Sequence, residues 1–139
     1  MHKTTSVACL ALAALTSCPH QKPISRDELQ SKLRSAASVA AEASTFLTYV
    51  RQQRATDQYA SGHIQYLSSE LDPTAKELHQ ALPTRGAGPQ FAEGVNDVDA
   101  LAAELSKLQS RIENPDELAP EQDQVAAIDK RLQQVISSL

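Results

Sequence analysis

The chain has 139 residues, with 13 basic and 17 acidic side chains and a formal net charge of −4, enough for one domain with a buried core. An acidic surface without a basic cluster excludes nucleic acid as a partner, because that recognition needs Lys and Arg to neutralise phosphates. No tryptophan, three tyrosines and two phenylalanines argue against aromatic-lined grooves and leave alanine and leucine as core material.

The first element is Met1 to Cys18 (MHKTTSVACLALAALTSC), where a polar start carrying Lys3 leads into an apolar run from Val7 to Leu15. About nine residues fall far short of the roughly 20 that span a bilayer as a helix, but they match the h-region of a secretory signal. An ordinary signal peptide, or a buried helix that happens to end in cysteine, is the alternative reading of this run. Its last four residues, Leu15-Thr16-Ser17-Cys18, are an aliphatic residue, two small ones and a cysteine. They resemble the lipobox of bacterial lipoprotein precursors, in which the cysteine is lipidated and becomes the new N-terminus.

The resemblance implies three parts: residues 1–17 are a signal peptide that is removed, 18–24 are lipidated Cys18 with a short tether, and 25–139 are the working domain. It also implies a bacterial cell envelope protein held on a membrane by covalent lipid (palmitate-type acyl chains) on Cys18, with no other cofactor. One acyl chain binds marginally, each buried methylene contributing about 0.8 kcal/mol, and two or three anchor stably. Pro19 follows the cysteine, where aspartate is associated with inner-membrane retention, so the periplasmic face of the outer membrane is favoured if the host is Gram-negative. Cleavage removes Lys3 and leaves 12 basic against 17 acidic side chains. It also discards Cys9, and with Cys18 acylated no thiol remains for a disulfide, redox couple or thiolate metal site.

Pro19 to Ile24 reads as an extended tether, since two prolines keep it out of helix. Ser25-Arg26-Asp27-Glu28 is a capping box. Behind it Leu29, Leu33, Ala36, Ala40, Ala43, Leu47 and Val50 recur at 4-3-4-3-4-3, the seam of a packed helix from Arg26 to about Arg54. The alanines at its centre allow close approach of a partner helix. Arg51 to Gln58 has no large apolar residue; it is either a turn capped by Thr56 or Asp57 or a solvated stretch of one long helix, and the turn is preferred. Arg51 and Arg54 beside Asp57 could hold an anion there, though a solvated turn is the preferred account of them.

Ala60, Ile64, Leu67, Leu71, Ala75, Leu78 and Leu82 form a second seam, which Asp72-Pro73 should kink or restart. Pro83 to Pro89 (PTRGAGP) is a loop. A third helix follows from Gln90 to about Glu113 on Phe91, Val95, Val98, Ala102, Leu105 and Ile112, with Leu101 and Leu108 alongside. Gly94 weakens its first turns by about 1 kcal/mol relative to alanine. A fourth begins near Pro120, on Val125, Ile128, Leu132, Val135 and Leu139. No segment shows strand-like alternation. The fold class is therefore all-α, an up-down bundle of about four amphipathic, coiled-coil-like helices, with hairpin pairing of one with two and three with four.

The best constellation for chemistry is Tyr59, His63, Tyr66 and Glu70, spaced 4-3-4 along one line of the second helix, with His79 further on. These types can ligate a metal, but neither Glu-x-x-His nor His-Glu-x-x-His occurs. Rings packed at the bundle margin with wet polar tips explain them as well. Nucleophile elbows and phosphate loops are absent from the sequence too, and Gly86-Ala87-Gly88 follows no strand. Glu113 to Asp123, with five carboxylates, lacks EF-hand spacing and reads as a solvated acidic loop. The expectation is a non-catalytic envelope lipoprotein that binds another envelope protein, or its own copy, through a helix face such as Ala36-Ala40-Ala43. The alternative is a small-ligand or metal-binding bundle using Tyr59, His63, Tyr66 and Glu70.

Overall fold

A computed structural model of the chain describes residues 21–139. The lipobox and Cys18 lie outside the described residues. Four helices make up most of the described chain: α1 (Arg26–Arg51), α2 (Asp57–Gln80), α3 (Gly88–Arg111) and α4 (Ala119–Ser138). Around the bundle α1 neighbours α2 and α4, and α3 neighbours the same two. The sequential hairpins form, yet α1 packs most extensively on α4, so the first and last helices close the ring.

The capping box opens α1, with the Ser25 hydroxyl accepting from the Glu28 amide at 3.1 Å and the Glu28 carboxylate accepting from the Ser25 amide at 3.0 Å. All seven seam residues of α1 are buried, and Ala36, Ala40 and Ala43 are fully enclosed. Those alanines are consumed inside the bundle and present no face to a partner, a correction to their reading as an interaction seam. Alanine at these positions lets the neighbouring helices close in without voids.

The turn between α1 and α2 is real. Helix α1 stops at Arg51 rather than Arg54 because Gln53 adopts φ 55°, and the Gln53 and Arg54 amides donate to the Val50 and Tyr49 carbonyls. That pair of bonds is a Schellman stop with glutamine where glycine is usual. The Thr56 hydroxyl then caps α2 by accepting from the Tyr59 amide. Helix α2 runs unbroken through Pro73, so the expected restart does not occur. The Asp72 carboxylate pairs with Lys76 one turn on, at 2.5 Å. Past the proline the buried line passes through Thr74 and Leu78 instead of Ala75.

Two three-residue strands, β1 (Lys22–Ile24) and β2 (Ala81–Pro83), pair in parallel, Lys22 opposite Ala81 and Ile24 opposite Pro83. Neither was expected, because three residues containing a proline show no alternation. Residues 22–24 are extended as the prolines require, but they are held against the α2–α3 connection, with Ile24 in the core.

In α3 the inward line is Gly94, Val98, Leu101, Leu105 and Leu108, continuing into Ile112. Ala102, expected in the seam, is exposed. The period is read one position off because both sets obey helical spacing. Gly94 has a packing role: a Cβ there would lie 2.8 Å and 2.9 Å from the two methyls of buried Leu33 on α1. The glycine lets the diagonal pair α1 and α3 touch. A single 3₁₀ turn, Pro115–Glu117, leads into α4, where Val125, Ile128, Leu132 and Val135 are buried as expected.

Candidate functional site

The stretch Glu113 to Asp123 is not wholly a solvated loop. Glu121, in the first turn of α4, is fully buried and pairs with Arg111 and, at 3.3 Å, with Lys107, both on α3. Burial pushes its carboxyl up, but its own backbone amide, Lys107 and Arg111 together outweigh that and hold it below the ordinary 4.5. One carboxylate oxygen, Oε2, is buried without a hydrogen-bond partner. This cluster ties α3 to α4. Glu121 itself has no exposed surface.

The surface with recognition chemistry lies between α1 and α2. On α1, Glu42, Phe46 and Tyr49 recur at 4-3, and on α2, Tyr59, His63 and Tyr66 recur at the same spacing, so each set lines one face of its helix. The antiparallel pairing brings the two faces together. Phe46 is the hub: its ring centroid lies 4.2 Å from His63, 5.9 Å from Tyr59 in an edge-on arrangement and 6.4 Å from Tyr49, nearly parallel. His63 lies 6.1 Å from Tyr59 and 5.9 Å from Tyr66. Its Nε2 is 3.2 Å from Glu42 Oε1. The Schellman turn folds Arg54 back so that its guanidinium carbon sits 5.2 Å from the Tyr49 ring centroid.

Four of the chain's five aromatic residues are thus gathered at one place, and the three tyrosines are 39%, 57% and 52% exposed. Between them opens a groove of about 570 Å³ lined by Glu42, Phe46, Tyr49, Tyr59 and His63 among others. An aromatic-lined groove was not expected from so few rings. Composition counts rings; it does not say that they meet. Phe46 is buried beneath the tyrosines, and the Tyr49 and Tyr59 rings pack on it while their polar tips stay in water.

Of the four residues singled out along α2, Tyr59, His63 and Tyr66 belong to this cluster. Glu70 is exposed and does not line the groove. The carboxylate that faces His63 is Glu42, from the other helix. It was missed although Glu42-Phe46-Tyr49 repeats the 4-3 spacing of Tyr59-His63-Tyr66, which is the signal that could have found it. His79 is 2.8 Å from Asp99 on α3, apart from the rings. Arg51 donates to Gln122 at 2.6 Å while Arg54 covers Tyr49, so the two guanidiniums separate and do not converge on an anion. Among the described residues no three His, Cys, Asp or Glu side chains come together as a metal set. No helix among them is long and apolar enough to cross a membrane.

Comparison with protein-family models, curated proteins and solved structures finds no match to this chain.

Proposed function

We propose that this protein is a non-catalytic binding module of the cell envelope, anchored through lipid on Cys18, that engages a partner protein through the aromatic groove of α1 and α2. The observation that carries the reading is the gathering of three half-exposed tyrosines over buried Phe46, beside one groove, in an otherwise alanine–leucine bundle. Exposed tyrosines supply large, stiff contact area at low entropic cost and are enriched where proteins bind one another.

The position of the groove supports the same reading. Residues 19–21 separate Cys18 from β1, a reach of about 11 Å, and β1 is fixed beside the start of α1. Phe46 lies twenty residues along α1 from Arg26, about 30 Å at 1.5 Å per residue. The groove therefore sits toward the end of the bundle away from the anchor, where another envelope protein can reach it.

The test is crosslinking and pull-down from membranes with the anchored wild type, Cys18→Ser and Tyr59→Ala. Cys18→Ser is expected to leave the membrane fraction. Tyr59→Ala, a change at an exposed ring, stays on the membrane and loses the captured partner; retention of the partner by Tyr59→Ala would sink the groove assignment. An unchanged membrane fraction for Cys18→Ser would refute the anchor.

The second reading, a small-ligand bundle on Tyr59, His63, Tyr66 and Glu70, keeps its first three residues and exchanges Glu70 for Glu42. The groove volume falls within the roughly 300–1,000 Å³ of small-molecule sites. As a metal site it offers one histidine and one carboxylate at close range. A melting temperature that drops on chelation would favour the metal.

A further inference from the structure

The structure assigns a chemistry to the occupant of this groove: the guanidinium of an arginine side chain on the partner protein, stacked against the exposed ring of Tyr59 and paired with Glu42. This inference rests on the binding-module reading and goes beyond it by naming what is recognised.

Charge complementarity is the first argument. Among the residues lining the groove, Glu42 is the one acidic side chain, and neither lysine nor arginine lines it. Its side chain is half exposed beside His63, so an incoming donor can reach it. The ring faces add to that charge, because an aromatic quadrupole presents its negative face to a cation within about 6 Å of the centroid. The groove thus combines one carboxylate with the exposed ring of Tyr59, which is complementary to a cation and unfavourable to an anion.

The second argument is internal. Arg54 already makes the proposed contact, its guanidinium 5.2 Å from the Tyr49 ring centroid at the rim of the cluster. That leaves Tyr59, 57% exposed and standing edge-on to buried Phe46, as the ring surface for a second guanidinium.

The shape chooses among cations. Rings line the α1 and α2 walls and the remaining side is open. A compact ammonium, strongly hydrated, loses much of its water shell on entering such a groove. A quaternary ammonium is held best by rings on several sides. A planar, weakly hydrated guanidinium can stack on one wall and donate to a carboxylate on the other.

The experiment uses a property of the composition: all three tyrosines lie in the cluster and there is no tryptophan. Intrinsic fluorescence of the full-length protein in detergent therefore reports on this surface alone. It is titrated with a short glycine–arginine peptide, the same peptide with citrulline for arginine, and choline chloride. The arginine peptide is expected to give a saturable change that the citrulline peptide does not. Glu42→Gln and Tyr59→Ala are each expected to weaken it by about five-fold, in line with one lost cation–π or charge contact. Equal binding of the citrulline peptide, equal or tighter binding of choline, or indifference to both substitutions overturns the assignment. If Tyr59→Ala abolishes partner capture from membranes while the arginine peptide fails to bind wild type, the binding module stands and the guanidinium assignment falls. If capture survives Tyr59→Ala, the binding-module reading is the one that fails.

Discussion

At Gln53 the backbone takes φ 55° so that two amides can reach back to Val50 and Tyr49 and close α1. For a residue with a Cβ the left-handed region costs roughly 1–2 kcal/mol, a strain that glycine avoids. Gln53→Gly is therefore expected to raise stability by about 1 kcal/mol, read as a higher urea midpoint at constant m-value; a loss of stability would mean that the glutamine side chain makes a contact of its own. Glu121 gives a pH-dependent prediction. Its folded carboxyl is held below the ordinary 4.5, so its stabilising contribution is present above pH 4.5 and is lost as pH falls through that value toward the folded one. Glu28 acts in the same direction, held down first by the Ser25 amide and then by the Ser25 hydroxyl and Lys22. Denaturant midpoints of the wild type should fall on acidification below pH 4.5, and Glu121→Gln should flatten, without abolishing, that slope. The two sides of the pair are unequal. Arg111 and Lys107 are 39% and 48% exposed and can rehydrate, whereas Glu121 cannot. Arg111→Met, which leaves a buried carboxylate one partner short, should cost about 3 kcal/mol and more than Glu121→Gln; the reverse order in chemical denaturation would count against a charged Glu121.

Between elements, the diagonal contact of α1 with α3 depends on Gly94. Helix propensity alone predicts that Gly94→Ala stabilises by about 1 kcal/mol. The Leu33 methyls stand within 3 Å of the added Cβ and Leu33 has no exposed surface to retreat to, and overpacking of this kind costs about 1–3 kcal/mol. The expected net effect is a lower melting temperature, recovered in part by Leu33→Val; stabilisation by Gly94→Ala alone would show that the diagonal is loose. The helices themselves were legible, because each carries an apolar period over several turns and the capping box marks the first start. Ends and irregularities were less so. Nothing local distinguishes Gln53 from a helical glutamine, Leu101 and Ala102 both satisfy a helical repeat, and Pro73 is tolerated where the tertiary packing of α2 outweighs one missing amide. The strands β1 and β2 could not be read at all, since their pairing is a contact between segments far apart in the chain.

For the whole molecule, the ring closure of α1 on α4 fixes which faces remain free, and that is where sequence reasoning about the site stopped. Tyr59, His63 and Tyr66 stood out on one helix, but Glu42 and Phe46 acquire meaning only when α1 is laid beside α2. The same packing removed Ala36, Ala40 and Ala43 from consideration by enclosing them. Glu70, one turn beyond Tyr66, belongs to the right row and the wrong neighbourhood.

The pairing of β1 with β2 also decides how the protein responds to tension. A pull arriving from the residues before Lys22 does not act on the capped start of α1 first. It loads a three-residue parallel ladder whose proline members, Pro23 and Pro83, can donate nothing to it. Such a clasp yields before a four-helix core does, releasing about 10 Å of chain at roughly 3.3 Å per residue. Ile24 would come away from the core with it, while the helices stay packed. With the lipid anchor proposed at Cys18, the short segment before the bundle would act as a stretchable coupling, rigid at rest and longer under load, which lets the groove stay folded while the surface beneath it moves.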